Sequence, residues 1–201
     1  MYDVAIIGGG IAGCACAYRL SRCKLNVVLL EKENDICMGS TRANSAIMHA
    51  GYDPQPGTLM AKLNVEGNAM SREICKKLSV PWKDTGSLVV ALSEEDLDTL
   101  QVLLERGQAN GVPGLEILSA EQLKEREPNV TPAAAGALWA PTAGIVNPWE
   151  FGLAMAEVAV QNGCTVKRRF AVQQIERDAD GFTVSSEQES ICACLLYTSP
   201  S

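Results

Sequence analysis

The stretch from Asp3 to Glu31 constrains this chain more than any other. Asp3-Val4-Ala5-Ile6-Ile7 is a short β-branched apolar run, which suits a strand buried on both faces. It enters Gly8-Gly9-Gly10-Ile11-Ala12-Gly13, a G-x-G-x-x-G pattern, with the small residues Cys14-Ala15-Cys16-Ala17 behind it. Gly13, Ala17 and Leu20 share one helix face. Asn26 to Leu30 reads as a second strand and delivers Glu31 at its end. The order strand, glycine turn, helix, strand, acid predicts a Rossmann-like α/β unit.

Each position has a physical reason. Gly8 permits the tight turn, Gly10 leaves room for a pyrophosphate, and Gly13 lets the helix approach the sheet. The helix N-terminus offers free N–H groups and a positive dipole end to phosphates. Glu31, 18 residues beyond Gly13, can accept both ribose hydroxyls. An acid there argues against a 2′-phosphate, leaving a nucleotide of the NAD or FAD kind.

Glu31 is followed by Met38-Gly39-Ser40-Thr41-Arg42-Ala43-Asn44-Ser45 and then by Ile47-Met48-His49-Ala50-Gly51. Here the sequence resembles the FAD-dependent superfamily built like D-amino-acid oxidase and glycerol-3-phosphate dehydrogenase. The continuation from Tyr52 to Leu63 is most similar to the L-2-hydroxyglutarate oxidase and glycerol-3-phosphate dehydrogenase branch. The resemblance implies FAD, with Gly39, Ser40, Thr41, Asn44 and Ser45 lining the pyrophosphate, ribityl chain and flavin. Lys32, next to the ribose acid, is counted with them, and Val172 is placed near the adenine. It also implies an inserted α+β substrate (cap) domain. The expected division is 1–80 and 147–193 for the FAD-binding domain, with 81–146 for the cap.

His49 is the candidate catalytic residue. It is the only histidine, and histidine is the side chain that titrates near neutrality. By the resemblance it lies beside the isoalloxazine. It could accept a hydroxyl proton while hydride leaves the same carbon. Alternatively it could carry a covalent bond to the flavin 8α carbon. Arg42 suits a carboxylate or phosphate, or simply a solvated surface.

The expected activity is oxidation of a small 2-hydroxy acid or polyol phosphate. Electrons would pass to a quinone, oxygen or an electron-transfer protein. An amino-acid or amine oxidase, or a dinucleotide-binding module without chemistry, are the alternatives.

Composition closes other routes. Lys and Arg number 17 against 24 Asp and Glu, so the chain carries −7 and no basic run, a poor match to nucleic acid. One histidine excludes H-E-x-x-H zinc sites, and no metal is expected. The eight cysteines include no C-x-x-C pair and read mostly as small buried hydrophobes. No apolar stretch of about twenty residues is present to span a membrane. The expected location is cytoplasmic, with peripheral attachment at the inner membrane face left open.

Further along, Thr58 should cap a long amphipathic helix whose stripe of Leu59, Leu63, Met70, Ile74 and Leu78 reads as core. Ser93 and Ser119 open capped helices, and Asn147-Pro148 opens another. Strands are expected over 165–170, 171–176 and 182–185, the first two nearly continuous. The last eight residues, Cys194 to Ser201, break the expected pattern and match one reading frame of a common transposon-end sequencing adapter. The expectation is therefore a truncated flavoenzyme with 194–201 as an adapter scar, binding FAD poorly and turning over little by itself.

Overall fold

Asp3 to Ile7 forms the centre of the main sheet, because its apolar side chains can be covered on both faces. The computed structural model describes residues 1–198; residues 199–201, part of the suspected scar, lie outside the described residues. Two compact units result: Met1–Ser45 with the chain from Asn147 onward, and Ala46–Val146.

The first unit holds a six-stranded sheet. Its strands are β1 (Tyr2–Ile7), β2 (Val27–Leu30), β9 (Thr165–Lys167), β10 (Gln174–Arg177), β11 (Phe182–Ser185) and β12 (Ser190–Thr198), in the order β10-β11-β12-β1-β2-β9. β1 runs parallel to β2 and to β12, and β2 parallel to β9. β10, β11 and β12 form an antiparallel meander. All four residues of β2 are buried. Helices α1 (Ile11–Leu20) and α5 (Pro148–Gln161) pack against each other. Asn147 caps α5, accepting the Glu150 N–H at 3.2 Å, with Pro148 at its first position.

One expectation changes here. Residues 165–176 do not form two nearly continuous strands. β9 stops at Lys167, and Arg169 takes a left-handed φ of 57° that no strand tolerates. Instead the Arg169 and Phe170 N–H groups donate to Glu33 O and Glu31 O, each at 2.8 Å. At the other end, residues 194–198 continue β12 and pair with β1, Leu195 opposite Val4 and Thr198 opposite Ile7. Their apolar residues supply the neighbour that β1 needs on that side. The inward alternation of β12 nevertheless stops after Ala193, and Leu195 is 63% exposed.

The second unit begins earlier than expected, at Ala46 rather than residue 81. The reason is pairing. β3 (Ile47–Met48) joins β8 (Gly144–Val146), which also pairs with β4 (Trp82–Lys83). A second antiparallel sheet has the order β5-β7-β6, from Ser87–Ala91, Gly136–Ala140 and Glu116–Ser119. Helices α2 (Leu59–Leu78), α3 (Glu94–Ala109) and α4 (Ala120–Arg126) complete the unit. Thr58 caps α2, and Ser93 with Asp96 and Ser119 with Gln122 form capping boxes on α3 and α4.

The first three members of the apolar stripe of α2 are not core, whereas Ile74 and Leu78 are half-buried. Leu59, Leu63 and Met70 are exposed, while Ala61, Asn68 and Cys75 are buried. These three recur every seven residues, and two have small side chains. The periodicity was real, but the narrower neighbouring face is the one that packs.

Candidate functional site

The glycine loop joins β1 to α1. Gly8 takes φ 103°, open to glycine, and its N–H donates to Leu30 O at 2.8 Å. A Cβ on Gly13 would overlap the Gly8 carbonyl oxygen and stand 3.3 Å from Leu29 Cδ1. Close approach of α1 to the sheet therefore depends on Gly13. Gly10 is the N-cap residue of α1; it is extended and lends no side-chain cap, and the first turn carries no acid. No acid of the helix itself therefore offsets the positive end of α1.

Glu31 closes this loop from the end of β2. Its Oε2 accepts the Gly9 N–H at 2.6 Å and its Oε1 accepts the Glu33 N–H at 2.9 Å. The side chain is buried, 8% exposed. Each carboxylate oxygen still has acceptor capacity for a hydroxyl. Gly9 matters beyond the expected pattern: its carbonyl accepts the Cys37 N–H at 2.8 Å and the Cys14 thiol at 3.3 Å. The run of three glycines was the signal for it. A thiol–thiol hydrogen bond to Cys37, together with burial, pushes the Cys14 thiol up.

The segment after Glu31 returns to the loop. Ile36 and Cys37 are buried, and a short 3₁₀ helix follows over Ser40–Arg42 with Gly39 before it. Thr41 is buried and its Oγ1 accepts the Ile11 N–H at 2.9 Å, so it caps α1 from across the chain. Ser40 and Ser45 are exposed. The Asn44 carboxamide donates to Ser40 O and Thr41 O at 3.0 and 2.8 Å and fixes the 3₁₀ turn.

Gly8, Gly10, Gly13, Glu31 and Thr41 are therefore brought together, with Gly39, Ser40, Asn44 and Ser45 on the adjoining segment. Lys32 is exposed and pairs with Glu33 at 3.9 Å. Arg42 is exposed, its Nη1 3.4 Å from Met38 Sδ. Val172 is partly buried against the cluster of Val28, Leu30 and Phe170.

His49 belongs to the second unit and is exposed. Its backbone is held on both sides. Met48 pairs with Gly144, and Ala50 is buried. Gly51 has φ 107°, and a Cβ there would press on Val65. Two asparagines clasp the segment: Asn68 Nδ2 donates to His49 O at 3.1 Å, and Asn110 Nδ2 to Gly51 O and Pro54 O at 3.0 and 2.8 Å. Asn68 does not stand out in the sequence, and Asn110 reads there only as the stop of α3 with Gly111. Among the described residues no group of three His, Cys, Asp or Glu side chains is placed to hold a metal ion. No helix among them is long and apolar enough to cross a membrane.

A parallel sheet, a glycine turn into a helix N-terminus and a buried acid at the next strand end define a dinucleotide-binding protein. The donors and the buried acceptor of this cradle fit the adenosine diphosphate part of FAD. The chain belongs to the FAD dependent oxidoreductase family, whose model matches residues 3–196. It is 49% identical over 190 residues to a glycerol 3-phosphate dehydrogenase of Caloramator mitchellensis, covering 94% of this chain and 40% of that one. It is 37% identical over 177 residues to the human mitochondrial L-2-hydroxyglutarate dehydrogenase, covering 87% and 38%. A dithionite-reduced L-α-glycerophosphate oxidase from Mycoplasma pneumoniae with FAD bound superposes with TM-score 0.88 and 31% identity, over 98% of this chain and 52% of that chain. A glycine oxidase from Geobacillus kaustophilus gives TM-score 0.89 at 23% identity, a likeness of fold. The chain thus spans 40% and 38% of the lengths of these two curated relatives.

Proposed function

We propose that the protein of which this chain forms part is an FAD-dependent oxidoreductase acting on a CH–OH donor, a glycerol 3-phosphate or an L-2-hydroxy acid. The observation that carries the reading is the cradle of Gly9, Gly10, α1 and Glu31 in a chain whose relatives bear those two substrate names. Bound FAD supplies a hydride acceptor. The chain's own residues do the rest. Glu31 accepts the ribose hydroxyls through the lone pairs left after its two backbone bonds. The N-terminus of α1 faces the pyrophosphate charge. Ser40, Thr41, Asn44 and Ser45 shape the adjoining wall, Lys32 flanks the ribose acid, and Val172 packs near the adenine. An imidazole nitrogen of His49 takes the proton from the substrate hydroxyl oxygen. Electrons leave to a quinone, oxygen or a protein acceptor, and the protein works in the cytoplasm or at the membrane's inner face.

The test has two stages. The chain is titrated with FAD and, separately, with NAD. A protein carrying these residues at the length of its relatives is then mixed anaerobically with glycerol 3-phosphate or L-2-hydroxyglutarate. Loss of the oxidised flavin band with one of them is expected. A colourless longer protein that binds NAD overturns the flavin assignment. Yellow colour surviving acid precipitation would move His49 from base to flavin attachment.

A further inference from the structure

We propose that Asn68 is a positioning residue for His49, an inference that rests on the proposed role of that histidine. The starting point is an anomaly on α2. Its buried face reads Ala61, Asn68, Cys75, and Asn68 is only 7% exposed. Burying a carboxamide without partners is costly, so a polar residue at such a place needs its bonds made.

The bonds it makes all point one way. Asn68 Nδ2 donates to His49 O at 3.1 Å and Thr142 O at 3.0 Å, with Met48 O at 3.4 Å sharing the donor. The two hydrogens of one amide group therefore join the end of β3 to the turn between β7 and β8, 93 positions apart in sequence from His49 to Thr142. Arg72, one turn further along α2, reaches the same Thr142 carbonyl at 3.3 Å. The His49 segment is thus hung from α2 rather than set by its short β3–β8 pairing alone, which spans two residues.

An apolar residue at 68 would leave the His49 and Thr142 carbonyls with one partner fewer. The path of the backbone through His49, and with it the direction of the imidazole, would lose its reference to α2. Asn68 touches neither His49's ring nor any reacting atom; it acts through the main chain.

The test uses the fact that the chain has one histidine, so a labelled imidazole gives one spin system. Asn68→Leu and Asn68→Asp are compared with the unmodified chain at the same pH. In folded Asn68→Leu, the His49 imidazole and its carbonyl carbon signal are expected to leave their native positions. The Val146 amide, which donates to Ala46 O beside this pairing, should exchange about tenfold faster. In Asn68→Asp the native positions should return only at acid pH, where a protonated carboxyl supplies one donor, and be lost at neutral pH. Native His49 signals in folded Asn68→Leu overturn the proposal. If Asn68→Leu does not fold, Asn68→Asp decides: native signals in acid alone support it, and native signals at both pH values or at neither overturn it. No flavin or substrate enters these readings, so they fail or hold independently of the proposed reaction.

Discussion

Gly9 and Glu31, 22 positions apart in the chain, meet through a 2.6 Å hydrogen bond from the glycine N–H to Glu31 Oε2. This bond gives the acid at the end of β2 a second duty. Besides its proposed ribose contact, it holds the glycine loop shut in the free protein. Glu31→Gln should therefore lower stability before any ligand is added. A carboxamide cannot accept from both Gly9 and Glu33 as the carboxylate does, so a charge-assisted bond is lost. The expected loss is about 2 kcal/mol in a denaturant melt. An unchanged midpoint would confine Glu31 to ligand binding.

Gly13→Ala is expected to be far more damaging than its size suggests. The new methyl would overlap the Gly8 carbonyl oxygen, which belongs to backbone and cannot swing away. We expect a loss of 3 kcal/mol or more, roughly the upper range for overpacking. Gly67→Ala, inside α2 with open space around its Cβ, is the control and should lose no stability by the same melt.

Thr41→Val keeps the shape of Thr41 and removes the oxygen that accepts the Ile11 N–H. Stability should fall by about 1 kcal/mol, while Thr41→Ser should keep most of it. The Ile11 amide should exchange faster in the valine variant only.

Cys75 and Cys164 give an alkaline limit. Burial pushes both thiols up from 9.0 to about 11. The unfolded chain then releases these protons at lower pH than the folded one. Their contribution to stability is fully present below pH 9 and falls as pH rises towards 11. Melts across that window should show the decline, and Cys75→Ala with Cys164→Ala should flatten it. At neutral pH, thiol reagents should label exposed Cys23, Cys192 and Cys194 well before Cys75 and Cys164.

Much of the nucleotide-binding half was legible because its logic is local. Strand, glycine turn, helix and acid lie within residues 3–31, and periodicity plus glycine spacing reports such a unit directly. Caps at Thr58, Ser93, Ser119 and Asn147 are local as well, and the structure has them at those residues. What escaped was long-range. The pairing of Ile47 with Ile145 moves the unit boundary back to Ala46, and no window around residue 47 contains that information. The buried face of α2 was misjudged because hydropathy favours Leu59, Leu63 and Met70. The packing instead selects two small residues and a hydrogen-bonding amide. Gly9 and Asn68 share that property: each matters through a partner that only the folded chain supplies.

The position of β12 beside β1 has a consequence for synthesis. β1 precedes β12 in the chain and sits inside its sheet, yet one of its two neighbours is Ser190–Thr198. During translation, that edge of β1 stays unsatisfied until nearly all of the described chain has left the ribosome. The nascent protein carries an open apolar strand edge until β12 emerges, a state in which pairing with another chain competes with pairing to itself. Closure between strands so distant in sequence is also slow. Yield of folded protein should then depend on chaperone supply and translation temperature more than on final stability.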